Sequence, residues 1–173
     1  PSHVNFWQGA SVESLLEGEI NAHSRVISGN VLTGSKIDDK NYLGFYDQTI
    51  TVIPEGDEPE FLGWLIPTYP RPSLSKTFLS YLFKDRKYKV NTSYHGEERA
   101  LVVTGEYEKV LPMDVLPMQL IKAIMAGDVE AMETLGILEV AEEDLALCEF
   151  ICTSKTEIQD IIREGLELME KEG

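Results

Sequence analysis

The chain has 173 residues, enough for one large domain or two small ones built around a real core. At 43% hydrophobic and 26% charged it has the proportions of an ordinary globular protein. Its net charge of −15 is uneven: residues 113–173 hold 15 acidic against four basic side chains, a balance that argues against nucleic-acid binding and against docking of that tail on anionic lipid.

Apolar runs such as LGWLIP fall well short of the roughly 18–20 residues of a membrane span. No N-terminal stretch has the order of a signal peptide. Because the chain starts at Pro1 without Met, it is expected to be a processed or partial piece, with any targeting signal upstream.

Taken in chain order, the first segment runs to Ile53. Val26 and Ile27 predict a short strand that stops at Gly29. Ile50 and Val52 alternate with Thr49 and Thr51, the period-two pattern of a half-buried strand. Gly18, Gly29, Gly34 and Gly44 read as turns or bulges. The acidic stretch EGDEPE, Glu55 to Glu60, is expected to be an exposed loop that closes this β-rich unit.

The second segment covers 54–112. FLGWLI predicts a short apolar strand, and Pro67, Pro70 and Pro72 force an extended connection after it. Ser73 or Ser75 would cap a helix through Phe83, with Leu74, Phe78 and Leu82 at helical spacing. RALVV, residues 99–103, predicts another strand, continued in extended form by EYEKVL. FKDRKYKV holds the one basic cluster, Lys84, Arg86, Lys87 and Lys89. It reads as a solvated helix end first, and as a patch for an acidic partner or lipid headgroup second.

The third segment, 113–173, is predicted helical. One helix begins near Pro117 and ends at Gly127; a second is capped by Asp128 and ended by Gly136. A third covers Glu142 to about Cys148. The last begins at Ser154 or Thr156, since SKTE and TEIQ both fit a capping box. Its Ile158, Ile161, Ile162, Leu166 and Met169 form a core stripe opposite an acidic wet face.

Chemical motifs are few. GNVLTGSK, Gly29 to Lys36, has the spacing of a phosphate-binding loop but reverses its last two residues, and no convincing helix follows. The histidines His3, His23 and His95 are isolated, and His95 beside Glu97 and Glu98 reads as a surface loop residue. No catalytic set and no metal-ligand set can be inferred from spacing. Cys148 and Cys152 stand four apart and, on a helix, share a face; reduced, half-buried thiols are expected.

Several motifs coincide with a known family in order and spacing. SLLEGEINAHSRVISGNVLTG and NYLGFYDQTITVI, then FLGWLIP, HGEERALVVTGEYEKVLPMDVLP and EEDLALCEFICTSK, resemble the C-terminal part of the NqrA component of the Na+-translocating NADH:quinone reductase. The resemblance covers nearly the whole chain. It implies an α+β fold: a β-grasp module of the soluble-ligand-binding type over 1–53, a mixed connecting segment over 54–112 and an acidic helical bundle over 113–173.

It also implies a peripheral place on the cytoplasmic face of the bacterial inner membrane, among the other, largely membrane-embedded subunits. The whole complex passes electrons from NADH through flavins and iron centres to ubiquinone and exports Na+. No cofactor is expected in this piece, because an iron–sulfur cluster takes four cysteine ligands and two are present. Three readings of function stay open: a non-catalytic docking module, a quinone-contacting module or generic ligand-binding domain, and an independent enzyme domain. For the second, Phe61, Trp64, Tyr69 and Phe78 are the candidate contacts, against the plainer reading that they are core.

Overall fold

The computed structural model describes residues 6–7, 9–16, 23–38, 41–56, 61–62, 79–83, 85 and 87–172. They belong to two compact units, 1–95 and 96–173. Together they make a mixed α+β protein, as expected.

The first unit is built on a three-stranded antiparallel sheet in the order β2-β1-β3. Strand β1 is Ser24–Ser28, β2 is Ser35–Ile37 and β3 is Ile50–Pro54. Val26 stands opposite Ile37 on one side and Val52 on the other. Val26 and Ile27 are both buried although they point to opposite faces, so β1 is covered on both sides.

The strand stops where the sequence predicts: Gly29 has φ +97 and its N–H donates to Thr49 O at 2.8 Å. The loop GNVLTG is a hairpin connection rather than a phosphate cradle. Asn30 Oδ1 accepts the N–H groups of Leu32 and Thr33 at 2.7 and 3.0 Å, and a strand follows where a helix would be needed. A short helix, α1, spans Val12–Leu15.

One expectation for this unit changes. Glu55 is not part of a free acidic loop: it takes Arg25 at 3.0 Å, Lys36 at 3.8 Å and the Thr92 hydroxyl at 2.5 Å. Those donors, Thr92 first and then Arg25, hold its carboxyl below the ordinary range, against a smaller opposing effect of desolvation. The expected FLGWLI strand and the helix capped at Ser73 or Ser75 lie almost wholly outside the described residues. Their described ends are a turn at 61–62 and a 3₁₀ turn, Leu79–Leu82. Of the basic cluster, Lys87 and Lys89 are exposed and outside any helix, and Lys84 and Arg86 lie outside the described residues.

The second unit begins at Gly96, upstream of the boundary read at Met113, because Tyr107 and Leu111 are buried in its core. Helix α2, Pro117–Ala126, starts with Pro and ends at Gly127, φ +68, where Asp128 N–H reaches back to Ala123 O at 3.0 Å. Asp128 then caps α3, Val129–Thr134, by accepting Ala131 N–H at 3.0 Å. The third predicted helix is a 3₁₀ turn, Glu142–Leu145, running into α4, Ala146–Ile151.

Helix α5, Ile158–Glu172, buries Ile158 and Ile162 against α2, with Ile161, Leu166 and Met169 packed at the edge of the same core. Ser154 and Thr156 are buried, and the Ser154 hydroxyl donates to Ala100 O at 3.0 Å. The first turn of α5 is also tied to α4: Gln159 N–H donates to Glu149 Oε2 at 2.8 Å.

RALVV also departs from expectation. Residues 99–103 join no sheet, and Arg99 N–H donates to Ser154 O at 2.8 Å. The continuation through EYEKVL is a 3₁₀ turn, Tyr107–Lys109. β-propensity gives way here to the packing of Leu101, Tyr107 and Leu111 on the helices.

Gly165 sets how closely α5 lies on the core. A β-carbon there would meet Ile137 Cδ1 at 2.8 Å and Ile124 Cγ1 at 2.9 Å. Alanine would gain about 1 kcal/mol of helix propensity, but overpacking costs roughly 1–3 kcal/mol. Gly165→Ala is therefore expected to lose about 1 kcal/mol in urea unfolding; a gain in stability would mean that the core yields at no cost.

Candidate functional site

The densest chemistry among the described residues is a buried cluster of Tyr107, Cys148 and Cys152 in the second unit. Cys148 lies on the inner face of α4, and Cys152 is the capping residue that leaves the helix, with φ −58 and ψ 115. The Tyr107 hydroxyl donates to Cys152 Sγ at 3.0 Å. Cys148 Sγ lies 3.9 Å from the carbonyl oxygen of the same tyrosine. Both thiols are free and fully buried, which corrects the half-buried expectation.

The two sulfurs are electrostatically unlike. Burial pushes the Cys148 thiol up to about 11, helped by the charge of Glu108. Burial also acts on Cys152, but hydrogen bonds to its sulfur from the Tyr107 hydroxyl, the N–H groups of Thr156 and Ser154 and the Thr156 side chain outweigh it. Its thiol is therefore held below the usual range. Burial and the hydrogen bond to Cys152 raise the Tyr107 hydroxyl well above its ordinary value, so it stays a proton donor.

This arrangement is a junction between elements. One sulfur collects donors from the Tyr107 turn, from the end of α4 and from the approach to α5. Among the described residues no three His, Cys, Asp or Glu side chains are grouped so as to hold a metal ion. Sequence spacing brings out the cysteines but not Tyr107, whose place in GEYEKVL carries no signal of a contact 45 residues away. Equally unannounced is the Glu55–Arg25–Thr92 group, whose members are 30 and 37 residues from Glu55.

Of the predicted quinone contacts, Phe61 lies in the 61–62 turn and is 86% exposed, so it is not core. Trp64, Tyr69 and Phe78 lie outside the described residues. His95 is an exposed loop residue with φ +51. Among the described residues no helix is long and apolar enough to cross a membrane.

A small antiparallel sheet unit followed by an acidic helical unit puts the chain in the α+β class, and comparison with known proteins makes the class specific. The family model of the NQRA C-terminal domain matches residues 1–39. The NqrA component of the Na(+)-translocating NADH-quinone reductase of Rhodopirellula baltica is 45% identical over 95% of this chain and 37% of its own length. The corresponding NqrA proteins of Neisseria meningitidis and Vibrio parahaemolyticus are 43% and 42% identical, over 95% and 100% of this chain and 37% and 39% of their own lengths. The chain belongs to the NqrA family of the Na+-translocating NADH:quinone reductases. It spans less than two-fifths of the length of these relatives.

The junction is open to a direct test. Tyr107→Phe removes one of the donors to Cys152. It is expected to cost about 1 kcal/mol of stability and to raise the Cys152 thiol pKa. Titration of cysteine β-carbon NMR shifts in both proteins reads this out; an unmoved Cys152 would remove the hydroxyl from its environment.

Proposed function

We propose that this chain is a non-catalytic docking module of a sodium-pumping NADH:ubiquinone reductase. The observation that carries the reading is identity of 42–45% along 95–100% of the chain to proteins named as subunits of that enzyme. In this reading the module helps hold the path from NADH to ubiquinone in register with Na+ export, while flavins, iron centres and the Na+ path belong to other parts of the assembly. Its place is peripheral, on the cytoplasmic face of the inner membrane against membrane-embedded subunits.

The chemistry of the chain supports a passive role. Among the described residues the most perturbed titratable groups, Tyr107 and Cys148, are sealed in a core and have no exposed face on which a substrate could react. The ion-pair group around Glu55 ties the ends of β1 and β3 to residue 92 and is spent on local structure. The sheet order and the hairpin over 24–37 are compatible with the β-grasp module of the soluble-ligand-binding type. A quinone-contacting role is the second reading, favoured by the solvent-facing ring of Phe61.

Co-expression of the tagged chain with the remaining subunits of a related reductase tests the first reading. The chain is expected to co-purify with membrane subunits from detergent extracts and to show no NADH oxidation or quinone reduction alone. Failure to associate with any of them, or turnover by the chain itself, would contradict it.

A further inference from the structure

One corner of the first unit displays aromatic side chains instead of burying them. Trp7 is 90% exposed, Tyr42 68%, Phe45 71% and Tyr46 88%. The backbone gathers them: Ala10 N–H donates to Trp7 O at 3.1 Å, Leu43 N–H to Ala10 O at 3.1 Å and Val12 N–H to Asn41 O at 3.0 Å. Ser11 and Tyr42 form a bridge, and the Phe45 and Tyr46 rings meet edge to face at 5.0 Å.

The platform is pinned from beneath. Leu43 and Val12 are buried, Gly44 N–H donates to the buried Ser28 hydroxyl at 2.9 Å, and that hydroxyl donates to Asp47. A β-carbon at Gly44 would collide with the Asp47 carboxylate. The aromatics are therefore carried on a braced turn, and the nearest carboxylate is engaged below it.

We infer that this corner is a membrane-contact surface, seating Trp7, Tyr42, Phe45 and Tyr46 in the interfacial layer of a lipid bilayer. Three observations favour lipid over a protein pocket. Trp and Tyr have an apolar body and a polar tip, the combination that suits the layer between headgroups and acyl chains. The stretch from Asn41 to Tyr46 carries no charge. And the unit that bears it is nearly neutral, with 11 acidic against nine basic residues over 1–95, whereas 96–173 has 19 against six. A membrane surface, which is anionic in the cell, repels the second unit and tolerates the first. The inference goes beyond the docking reading and does not depend on which protein subunits bind.

The test uses Trp7 as its own reporter. In a Trp64→Phe background, Trp7 is the only tryptophan. Adding phosphatidylcholine vesicles is expected to shift its emission to shorter wavelength, saturably, with quenching by brominated lipid. Phe45→Ser with Tyr46→Ser should weaken partitioning by about tenfold per ring removed, with an unchanged circular dichroism spectrum. Flotation of the unsubstituted chain with the same vesicles gives an independent reading should Trp64→Phe disturb folding. No shift and no flotation at millimolar lipid would overturn the inference and leave the corner to a protein partner. Binding to anionic vesicles alone, insensitive to the double substitution, would overturn it in favour of the basic stretch around Lys87 and Lys89. Either failure leaves the co-purification result untouched.

Discussion

The second unit depends on one absence, the missing side chain at position 165. Helix α5 is amphipathic and acidic, and its inner stripe packs closely on Ile124 and Ile137 at Gly165. Glycine permits that approach at some cost in helix propensity. Once α5 is seated, Ile158 and Ile162 complete the core around Met118, Leu120 and Met132. The same seating brings the start of α5 to Glu149, which caps it, and sets the Ser154–Thr156 turn around the Cys152 sulfur. Capping and thiol environment are thus consequences of a helix crossing.

Local signals are legible in the sequence and distant ones are not. Pro117, Gly127, Asp128 and Gly136 each act within one turn of the backbone, and each marks a boundary found in the structure. The patterns at 26–27 and 50–52 are strands for the same reason. At 154–159 distant partners enter as well: Ser154 and Thr156 are buried, the Ser154 hydroxyl donates to Ala100 O, and a glutamate ten residues upstream accepts the Gln159 N–H. RALVV has strand propensity but joins no strand, and its backbone bonds to the 154 turn instead. The site behaves likewise: cysteine spacing puts both thiols near one helix face, but only the tertiary fold brings in Tyr107 and makes the two sulfurs unlike.

The two units divide the chemistry between them. Residues 96–173 concentrate negative charge around an apolar core in which the Tyr107 hydroxyl donates to the Cys152 sulfur. Residues 1–95 are close to neutral and expose aromatic rings, including Phe61 in its turn. A strongly acidic surface sets orientation and discourages wrong contacts, while exposed aromatics supply binding free energy over a small area. A docking module needs both properties.

Cross-linking mass spectrometry of an assembled reductase containing this sequence tests that account most directly. The lysines of both units, among them Lys36, Lys87, Lys122 and Lys171, are predicted to yield reproducible cross-links to other subunits at sites that also lose solvent access on assembly. Cross-links confined to this chain, with turnover unchanged when it is omitted, would contradict the account.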